Sequence, residues 1–379
     1  MSFEAVERAM DAAVGRRVFP GAVLLVRDAD RVFYRRAFGH RSLVPELTPM
    51  QESTVFDVSS LTKALATSVA LMILIRDGRI TLDNRVSRFF HNFGGLGKTY
   101  ITFRHLLSHS SGLPAWRPYW NDILNFERHS GRINFLGSPE AKEYVYQQIT
   151  REKVEVPPGT RAEYSDLGFM MIGAAIEAVA STTLDRFCQS RIFRPLGLKN
   201  IGFINLNLLR AQHLEAVSDR IAPTEDCPWR ERILCGEVHD DNAFAMGGVA
   251  GHAGLFAGID DIDALVCHLK DCYYRRAVKP LLPTDLLREF WTIDGSVPAS
   301  TWCLGWDSPS PTGSSAGSTL SRHAVGHLGF TGCSLWIDLD HDRHVILLSN
   351  RVHPSRSNEL IREFRPQIHD LIVEALEKR

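Results

Sequence analysis

The chain contains 379 residues with a net charge of −1, and 44% of its residues are hydrophobic while 23% are charged. These proportions are ordinary for a globular protein, and the length suits one large domain or two interleaved lobes. A balanced charge gives no electrostatic footprint for nucleic acid or an anionic membrane surface, so we expect neither as a partner. No run in the sequence approaches the roughly 20 apolar residues that a membrane span needs.

The seven cysteines are an odd number, and none of them forms a C-x-x-C pair. This pattern argues against a disulfide framework and against a thiolate metal site, and it favours a reducing compartment. The N-terminal residues show no charged-then-apolar leader. We therefore expect a cytoplasmic protein, or an exported one if a leader has been removed from the chain.

Helices and hairpins are predicted near the two ends of the chain. Apolar residues spaced for one helical face predict a first helix within MSFEAVERAMDAAVGRRVF. Two β-rich runs then flank Asp28-Ala29-Asp30 and predict an antiparallel hairpin, and CSLWIDLDHDRHVILLSNR repeats this plan near the other end. A final helix is predicted from about Glu359 to Lys378, with Pro366 as a kink or a new first turn.

The middle of the chain is predicted to be mostly helical. ALATSVALMILIRDG is apolar on every side and stops at Gly78, and DLGFMMIGAAIEAVA and DDIDALVCHLKD predict further helices separated by loops such as 308–321. We therefore predict an α/β protein of the α+β type, with an antiparallel sheet built from both chain ends and flanked by helices. Residues 1–57 and 295–379 would form this sheet lobe, and residues 58–294 an inserted, mostly helical lobe.

The stretch VSSLTKAL places a lysine three residues after Ser60, at the start of the apolar helix. Residues three apart share a helix face, so the Lys63 amine would lie beside the Ser60 hydroxyl. Burial would lower the pKa of Lys63, and a neutral amine would accept the serine proton in covalent acyl transfer. The alternative is an ordinary helix start, with Ser59 as the N-cap and Lys63 extended to water.

Two further stretches carry residues suited to the same chemistry. Tyr164 precedes an apolar helix, and a tyrosine beside a lysine ammonium would have a lowered pKa and could move protons. His327-Leu328-Gly329 lies at a predicted strand edge, where a glycine lets a ligand approach the backbone. The N–H groups of Phe330 and Ser60 could then form an oxyanion hole. The alternatives are a buried tyrosine beside a helix cap and a structural histidine.

Taken together and in order, S-x-x-K, Y-S-D and H-L-G resemble the three active-site elements of the serine β-lactamase and penicillin-binding protein superfamily. The chain looks most like its class C branch, which includes D-alanyl-D-alanine carboxypeptidases and related esterases. TVFDVSSLTK, ITFRHLLSHSSGLP, PPGTRAEYSDLGFMMIG and GGVAGHAGLFAGIDDIDAL all look like that branch, and the resemblance spans residues 19–352. It implies a single β-lactamase-like catalytic domain over residues 1–379.

The resemblance also implies roles for individual residues. Ser60 would be the nucleophile, Lys63 its activating amine and Tyr164 the general acid and base. His327 would occupy the position that is lysine in most class C β-lactamases and histidine in some carboxypeptidases.

Three more residues would bind the substrate, namely Asp166, Gly329 and Phe330. Asp166 stands where the family commonly has an asparagine whose amide touches the acyl amide of the substrate. An ionised aspartate cannot donate that hydrogen bond and would repel a substrate carboxylate, while His327 would be mostly neutral at pH 7 with an ordinary pKa of about 6.5. These two departures predict a better esterase than β-lactamase.

Other polar and aromatic stretches have plainer explanations. His105 and His109 have the spacing of metal ligands, but RHLLSH lacks the glutamate of H-E-x-x-H, and no metal or cofactor is expected. VHDDNAF, residues 238–244, would be a solvated, capped loop, or it would line the cleft or bind a cation. GGVAGHAG is expected to be tight backbone beside the active site, and PAWRPYWND either a substrate wall or a separate hydrophobic cluster.

The sequence leaves two functions open. The first is a serine hydrolase that cleaves a small ester, amide or peptide through an acyl-enzyme on Ser60, with a β-lactam or a D-Ala peptide among the possible substrates. The second is a penicillin-binding or sensor protein that is acylated without efficient turnover, or an inactive relative. Complete S-x-x-K and tyrosine elements favour the first, whereas Asp166 and the missing leader keep the second open.

Overall fold

A computed structural model describes residues 3–214 and 219–378. Its strands are β1 (Gly21–Asp28), β2 (Arg31–Ser42), β3 (Thr48–Pro49), β4 (Val55–Asp57), β5 (Ile201–Phe203), β6 (Asp226–Cys227), β7 (Arg232–Ile233), β8 (Leu255–Gly258), β9 (Val325–Leu328), β10 (Ser334–Asp338) and β11 (Arg343–Ser349). Its α-helices are α1 (Glu4–Gly15), α2 (Val69–Arg76), α3 (Phe103–Leu107), α4 (Tyr119–Ser130), α5 (Pro139–Arg151), α6 (Asp166–Ala180), α7 (Leu184–Cys188), α8 (Leu206–Ala211), α9 (Asp241–Ala245), α10 (Ile259–Tyr273), α11 (Thr284–Phe290) and α12 (Ile361–Glu377).

Six strands form one antiparallel sheet in the order β3-β2-β1-β11-β10-β9. Strand β1 from the beginning of the chain pairs with β11 from its end, with Ala22 opposite Ser349 and Asp28 opposite Arg343. The two predicted hairpins are β1–β2 and β10–β11. The predicted fold class, with one antiparallel sheet built from both chain ends, is therefore confirmed.

Side chains alternate between the two faces of β1, because successive residues of a strand point to opposite sides. Ala22, Leu24 and Val26 lie in a core that includes residues of the terminal helices α1 and α12. Val23 and Leu25 lie in the larger core that contains most of the buried helices from the middle of the chain. The sheet thus separates the terminal helices from the helical middle, and β1 is a continuous apolar run because both of its faces are buried.

The region between the two halves of the sheet is mostly helical, as predicted, and also contains the small sheet β4-β8-β5. The apolar helix after Ser60 starts with a π-helical segment, Lys63–Ser68, and continues as α2 before Gly78, whose φ of +70° ends it. Single π-helical turns of this kind are frequent at functional sites. Pro366 lies inside α12, which is shorter at both ends than predicted.

Within residues 3–214 and 219–378, no single helix is long and apolar enough to cross a membrane. One bent pair meets the criteria of length and composition, namely α6 with the segment Leu184–Phe193, which are inclined at 71° to each other. Ten residues of α6, from Leu167 to Ile176, are buried inside the protein.

Buried histidines make the stability of the fold depend on pH. Burial lowers the pKa of His344, on β11, to about 4 and that of His369, on α12, to about 4. An unfolded histidine titrates near 6.5, so the unfolded chain binds more protons than the folded one between these values. We expect the free energy of unfolding to fall as pH falls from 6.5 to 4, by roughly 1 kcal/mol per pH unit for each such histidine.

Urea denaturation at pH 7 and at pH 5 measures this dependence. His369→Asn should flatten it, because asparagine can still donate to the carbonyl of Ser315, which the ring Nδ1 meets at 3.0 Å. His91→Gln, at an exposed position, is the matched control and should leave the slope unchanged. A His369→Asn protein with the wild-type slope would contradict the assignment.

Candidate active site

The turn that carries Ser60 is held by buried hydrogen bonds around Asp57. The Asp57 carboxylate accepts the backbone N–H of Ser59 at 2.8 Å and that of His239 at 2.7 Å. Ser59 has a φ of +50°, a left-handed conformation that is uncommon outside glycine. This conformation is not that of an N-cap, so the expected capping role of Ser59 is wrong. The sharp turn between β4 and the helix lets Ser60 line the cavity described below.

Lys63 is fully buried and meets three acceptors with its Nζ atom. The Ser60 hydroxyl lies 3.0 Å away, the His252 carbonyl oxygen 2.9 Å and an Asp166 carboxylate oxygen 2.7 Å. The contacts with Ser60 and His252 are hydrogen bonds, and the contact with Asp166 is an ion pair. The alternative in which Lys63 extends to water is therefore excluded.

The protonation of Lys63 differs from the sequence prediction. Burial by itself lowers the pKa of Lys63, as expected, but the negative charge of Asp166 and the neighbouring Tyr164 outweigh burial and raise the pKa above its ordinary value. Lys63 is therefore held as a cation and not as a neutral amine. The sequence prediction failed because it counted burial without the carboxylate that accompanies the lysine.

Tyr164 points its hydroxyl at the same serine. The phenol donates to Ser60 Oγ at 2.8 Å, and its ring lies 4.9 Å from Lys63 Nζ. Burial raises the pKa of Tyr164 to about 12, which outweighs the opposite effect of the Lys63 charge. The predicted lowering of this pKa is therefore wrong. The neighbouring Ser165 caps α6 with its hydroxyl, which accepts the N–H of Gly168 at 3.3 Å.

His327 lies on β9 as a neutral ring. Burial and the charge of Lys63 lower its pKa to about 3. Its Nδ1 lies 2.8 Å from the carbonyl oxygen of Leu328, which makes Nδ1 the protonated nitrogen and leaves Nε2 as an acceptor. Nε2 is buried and has no partner among the described residues, although His327 lines the cavity. A substrate donor is the natural partner for this nitrogen.

Gly329 brings the end of β9 against the turn that precedes the serine. A Cβ atom at Gly329 would lie 2.6 Å from the carbonyl oxygen of Val58, so only glycine allows this approach. Within the described residues, the backbone N–H groups of Ser60 and Phe330 donate no hydrogen bond. Both residues line the same cavity, as the predicted oxyanion hole requires.

A cavity of about 600 Å³ is lined by Ser60, Tyr164, Asp166, His327, Gly329 and Phe330, whereas Lys63 is buried behind it. Residues that the sequence did not single out complete it. Trp302 packs its ring 4.4 Å from His109 and 5.6 Å from Tyr164, and nothing in the local sequence predicts this position. Asp57, in contrast, had a possible signal, because it lies three residues before Ser60 in FDVSS.

Several weaker candidates take structural positions. His105 belongs to the capping box of α3, whereas His109 accepts the N–H of Ser165 at 3.0 Å and stacks near Tyr164, so the two imidazoles have separate partners. The VHDDNAF loop is buried and not solvated as expected, since His239 is 3% exposed and lines the cavity, while Asp240 caps α9.

The two remaining stretches contact the site or lie beside it. Trp116 of PAWRPYWND lines the cavity, while Trp120 stacks on Trp229 at 4.7 Å in a separate cluster. Both interpretations of that stretch therefore apply, each to a different tryptophan. In GGVAGHAG, a Cβ at Gly251 would lie 2.0 Å from the Phe169 carbonyl oxygen, which confirms tight backbone beside Lys63.

One group outside the cavity has ligand atoms close enough for a metal. Atoms of Asp263, Cys267 and His344 lie within 4.8 Å of one another. Arg27, however, binds both oxygens of the Asp263 carboxylate, at 2.8 and 2.6 Å. A guanidinium in this position repels a metal cation and already neutralises the carboxylate. The group is therefore best explained as an ion pair that joins α10 to the sheet.

Fold and site together define a serine-hydrolase type of protein, in which a serine lies at the start of a buried helix between a lysine and a tyrosine. The family model described as Beta-lactamase matches residues 6–369. The chain belongs to the beta-lactamase family.

Two relatives show how far the sequence similarity extends. A protein of Escherichia coli strain K12 named "Putative D-alanyl-D-alanine carboxypeptidase" is 30% identical over 370 residues, covering 91% of this chain and 82% of the relative. An N-acetylmuramyl-L-alanine amidase of Bacillus subtilis strain 168 is 30% identical over 368 residues, covering 90% of this chain and 79% of the relative.

Solved structures share the fold at lower identity. EstCE1, described as a hydrolase with promiscuous acyltransferase activity, matches with a TM-score of 0.70 and 22% identity, over 95% of this chain and 97% of that chain. The octameric penicillin-binding protein homologue from Pyrococcus abyssi matches with a TM-score of 0.73 and 20% identity, over 99% and 78%. These likenesses confirm the β-lactamase-like architecture of the chain.

Close packing at Gly329 generates a prediction. Gly329→Ala should force β9 away from Val58, because the added carbon would lie 2.6 Å from a carbonyl oxygen that cannot rotate away. We expect a loss of roughly 1–3 kcal/mol in the free energy of unfolding, as for other overpacked sites. Gly295→Ala, where nothing lies within 4 Å of the new carbon, is the control. If the thermal melt of Gly329→Ala superimposes on that of the wild type, as that of Gly295→Ala should, the close packing of Gly329 on Val58 is not required.

Proposed function

We propose that the protein is a serine hydrolase that cleaves small esters, amides or peptides through an acyl-enzyme on Ser60. The observation that carries this proposal is the position of Ser60 Oγ, 3.0 Å from Lys63 Nζ and 2.8 Å from the Tyr164 hydroxyl, at the wall of a cavity. A hydroxyl between two groups that exchange protons is the arrangement that nucleophilic catalysis needs. Relatives named as a carboxypeptidase and an amidase, and a neighbour described as a hydrolase, support acyl cleavage.

The reaction begins when the Lys63–Tyr164 pair has lost one proton. The missing proton can come from Lys63, which leaves a neutral amine, or from Tyr164, which leaves a phenolate. Whichever group is deprotonated takes the proton of Ser60 while Oγ bonds to the acyl carbon. The N–H groups of Ser60 and Phe330 would stabilise the carbonyl oxygen as it becomes negative. Tyr164 is placed to return the proton to the leaving oxygen or nitrogen.

Release of the acyl group reverses these steps with water. A water molecule attacks the ester carbonyl carbon on Ser60 and gives a proton to the Lys63–Tyr164 pair. The pair passes this proton to Oγ as the bond between Oγ and the acyl carbon breaks, which releases the free acid and restores the serine hydroxyl. A protein that is acylated without turnover would lack an effective base for this second step. The intact Lys63–Tyr164 pair favours turnover over the sensor alternative.

Asp166 has a different part from the one that its position in the family suggests. Its carboxylate is paired with Lys63 at 2.7 Å, so its main effect is on the charge of the lysine and not on a substrate amide. A simple ester has no acyl amide that would need a hydrogen-bond donor at this position. The pairing therefore agrees with a preference for esters over β-lactams.

The identity of the nucleophile is tested by a pair of neighbouring serines. Ser60→Ala should reduce turnover of p-nitrophenyl butyrate to background, since no other hydroxyl among the described residues bonds to both Lys63 and Tyr164. Ser59→Ala should retain turnover and stability, because the partners of Ser59 are bound through its backbone N–H and carbonyl.

Intact-mass and peptide analysis after treatment with a fluorophosphonate completes this test. The label should map to Ser60 in the wild type and in Ser59→Ala, and it should be absent from Ser60→Ala. An active Ser60→Ala protein, or a label on Ser59, would refute the proposal. A stable acyl adduct without turnover of any ester would support the sensor alternative.

The Asp166 carboxylate is expected to set the pH dependence of the reaction. It raises the pKa of Lys63 against the effect of burial, and the phenol of Tyr164 titrates at about 12, so the deprotonated pair becomes abundant only at alkaline pH. Wild-type kcat/KM should therefore rise with pH above neutrality. Asp166→Asn removes the negative charge, so the rising limb should move to lower pH.

Steady-state rates at pH 7 and pH 10 measure this shift. The ratio of kcat/KM at pH 7 to that at pH 10 should rise about tenfold or more in Asp166→Asn. Asp307→Asn is the matched control, because Asp307 also lines the cavity but bonds to Thr301 and Ser308 and not to Lys63. If Asp166→Asn lowers kcat/KM but the rise of kcat/KM with pH stays at the same pH, Asp166 only orients the lysine.

A further inference from the structure

Arg351 lines the active-site cavity as a buried cation whose partners are all main-chain oxygens. The residue is 5% exposed, and its Nε donates to the Phe330 carbonyl oxygen at 2.8 Å. Its Nη1 donates to the carbonyl oxygens of Arg356, at 3.3 Å, and Asn358. Its Nη2 donates no hydrogen bond within the described residues.

Arg365 lies beside it and has the same kind of partners. It is 6% exposed, and its Nη2 donates to the carbonyl oxygens of Gly329 at 2.9 Å and Cys333 at 2.7 Å. Its Nε is buried and has no partner among the described residues. The two guanidinium groups therefore lie directly behind the chain segment Gly329–Phe330, which forms one wall of the cavity.

Neither guanidinium has a carboxylate partner among the described residues. Arg362, which also lines the cavity, is paired with Glu359 at 3.0 Å, and Arg356 is paired with Glu225 and with Asp241. Glu359 acts on the charge of Arg351 from beyond ion-pair distance, so neither Arg351 nor Arg365 has a carboxylate in direct contact. Burial lowers the pKa of both, that of Arg365 to about 10, so both still carry their charge at neutral pH.

Buried charges without partners are costly, since a guanidinium leaves water only at a substantial cost in free energy. Main-chain carbonyl oxygens satisfy part of the hydrogen-bonding capacity but none of the charge. Two such cations at the wall of one cavity repel each other as well. Binding of an anion in the cavity would relieve both costs, and guanidinium N–H groups suit anionic oxygen atoms.

We propose that Arg351 and Arg365 form a subsite for an anionic oxygen group of the substrate, a carboxylate carried at some distance from the bond that is cleaved. The inference rests on the proposed function and adds the substrate class to it. Phe330 belongs to the same subsite, because its ring lies 4.5 Å from the Arg351 guanidinium and 5.6 Å from the His239 ring, while 47% of the residue is exposed. It offers an apolar surface for the chain that links the carboxylate to the acyl group.

The subsite is separate from the position of His327. That ring is neutral and presents an acceptor nitrogen to the cavity, so it does not attract an anion. Asp166, Asp240 and Asp241 also line the cavity and would repel an anion near them. Arg351 and Arg365, which have no carboxylate in direct contact, therefore decide where an anionic group of the substrate binds.

Matched esters test the proposal in the wild-type enzyme. p-Nitrophenyl hydrogen glutarate carries a terminal carboxylate, and p-nitrophenyl pentanoate has a similar length without the charge. We expect kcat/KM for the carboxylate ester to exceed that for the neutral ester by about tenfold or more, and to lose this advantage at high salt. An equal or lower value for the carboxylate ester would overturn the proposal.

Variants show which residues cause the preference for the carboxylate ester. Arg351→Gln should reduce the preference for the carboxylate ester about tenfold, and Arg351→Lys should retain part of it. Arg8→Gln removes the same charge from the exposed surface of α1, where 73% of the side chain is accessible, and should leave the preference unchanged. If Arg351→Gln keeps the wild-type preference, the subsite lies elsewhere and the proposal is wrong. Thermal melts establish that each variant is folded.

Competition by small anions shows which type of anion the subsite binds. Turnover of the neutral ester shows whether the hydrolase proposal holds independently of the subsite proposal. Glutarate should inhibit hydrolysis of p-nitrophenyl pentanoate more strongly than methyl phosphate does, and the reverse order would overturn the assignment of a carboxylate. Turnover of the neutral ester without any carboxylate preference would refute the subsite alone. Absence of turnover with every ester, together with no label on Ser60, would refute the hydrolase itself.

Discussion

The active site depends on one buried cation, the ammonium of Lys63. Three acceptors surround it, from Ser60, Asp166 and the backbone of His252, and these residues come from three distant parts of the chain. A buried ammonium is tolerated only when its hydrogen bonds and its charge are both satisfied. The fold must therefore bring the start of α6 and the loop before β8 to the first turn after β4. The tight backbone at Gly251 is one consequence of that convergence.

The same cation explains the protonation of its neighbours. It lies beside a carboxylate that keeps it charged, and its charge in turn helps to keep His327 neutral. Tyr164 keeps its proton because burial is stronger than the field of the lysine. The resting site therefore surrounds the serine oxygen with two donors, and activation requires the removal of one proton from the group as a whole. In the proposed mechanism, the total charge of this group controls the reactivity of Ser60.

The large sheet supplies the opposite wall of the cavity. Pairing of β1 with β11 joins the chain ends, and β9 at the edge of that sheet carries His327 and leads to Gly329 and Phe330. Two arginines hold this segment from behind through its carbonyl oxygens. Their charges have no carboxylate in direct contact, so this wall of the cavity is also a source of positive potential. Under the proposed subsite, the residues that support the wall would also select the substrate.

The sequence by itself determined the elements whose cause is local. β-rich runs on either side of an Asp-rich turn predicted both hairpins of the large sheet, and the three-residue spacing placed Lys63 beside Ser60, because strand and helix geometry follow from neighbouring residues. Only the tertiary structure decided the directions of the pKa shifts of Lys63 and Tyr164, since each is a balance between burial and charges about a hundred residues away. The position of Trp302 and the unpaired charges of Arg351 and Arg365 also required the fold. Long-range packing has no period in the sequence, and the charge of a buried group depends on every neighbour that packing brings to it.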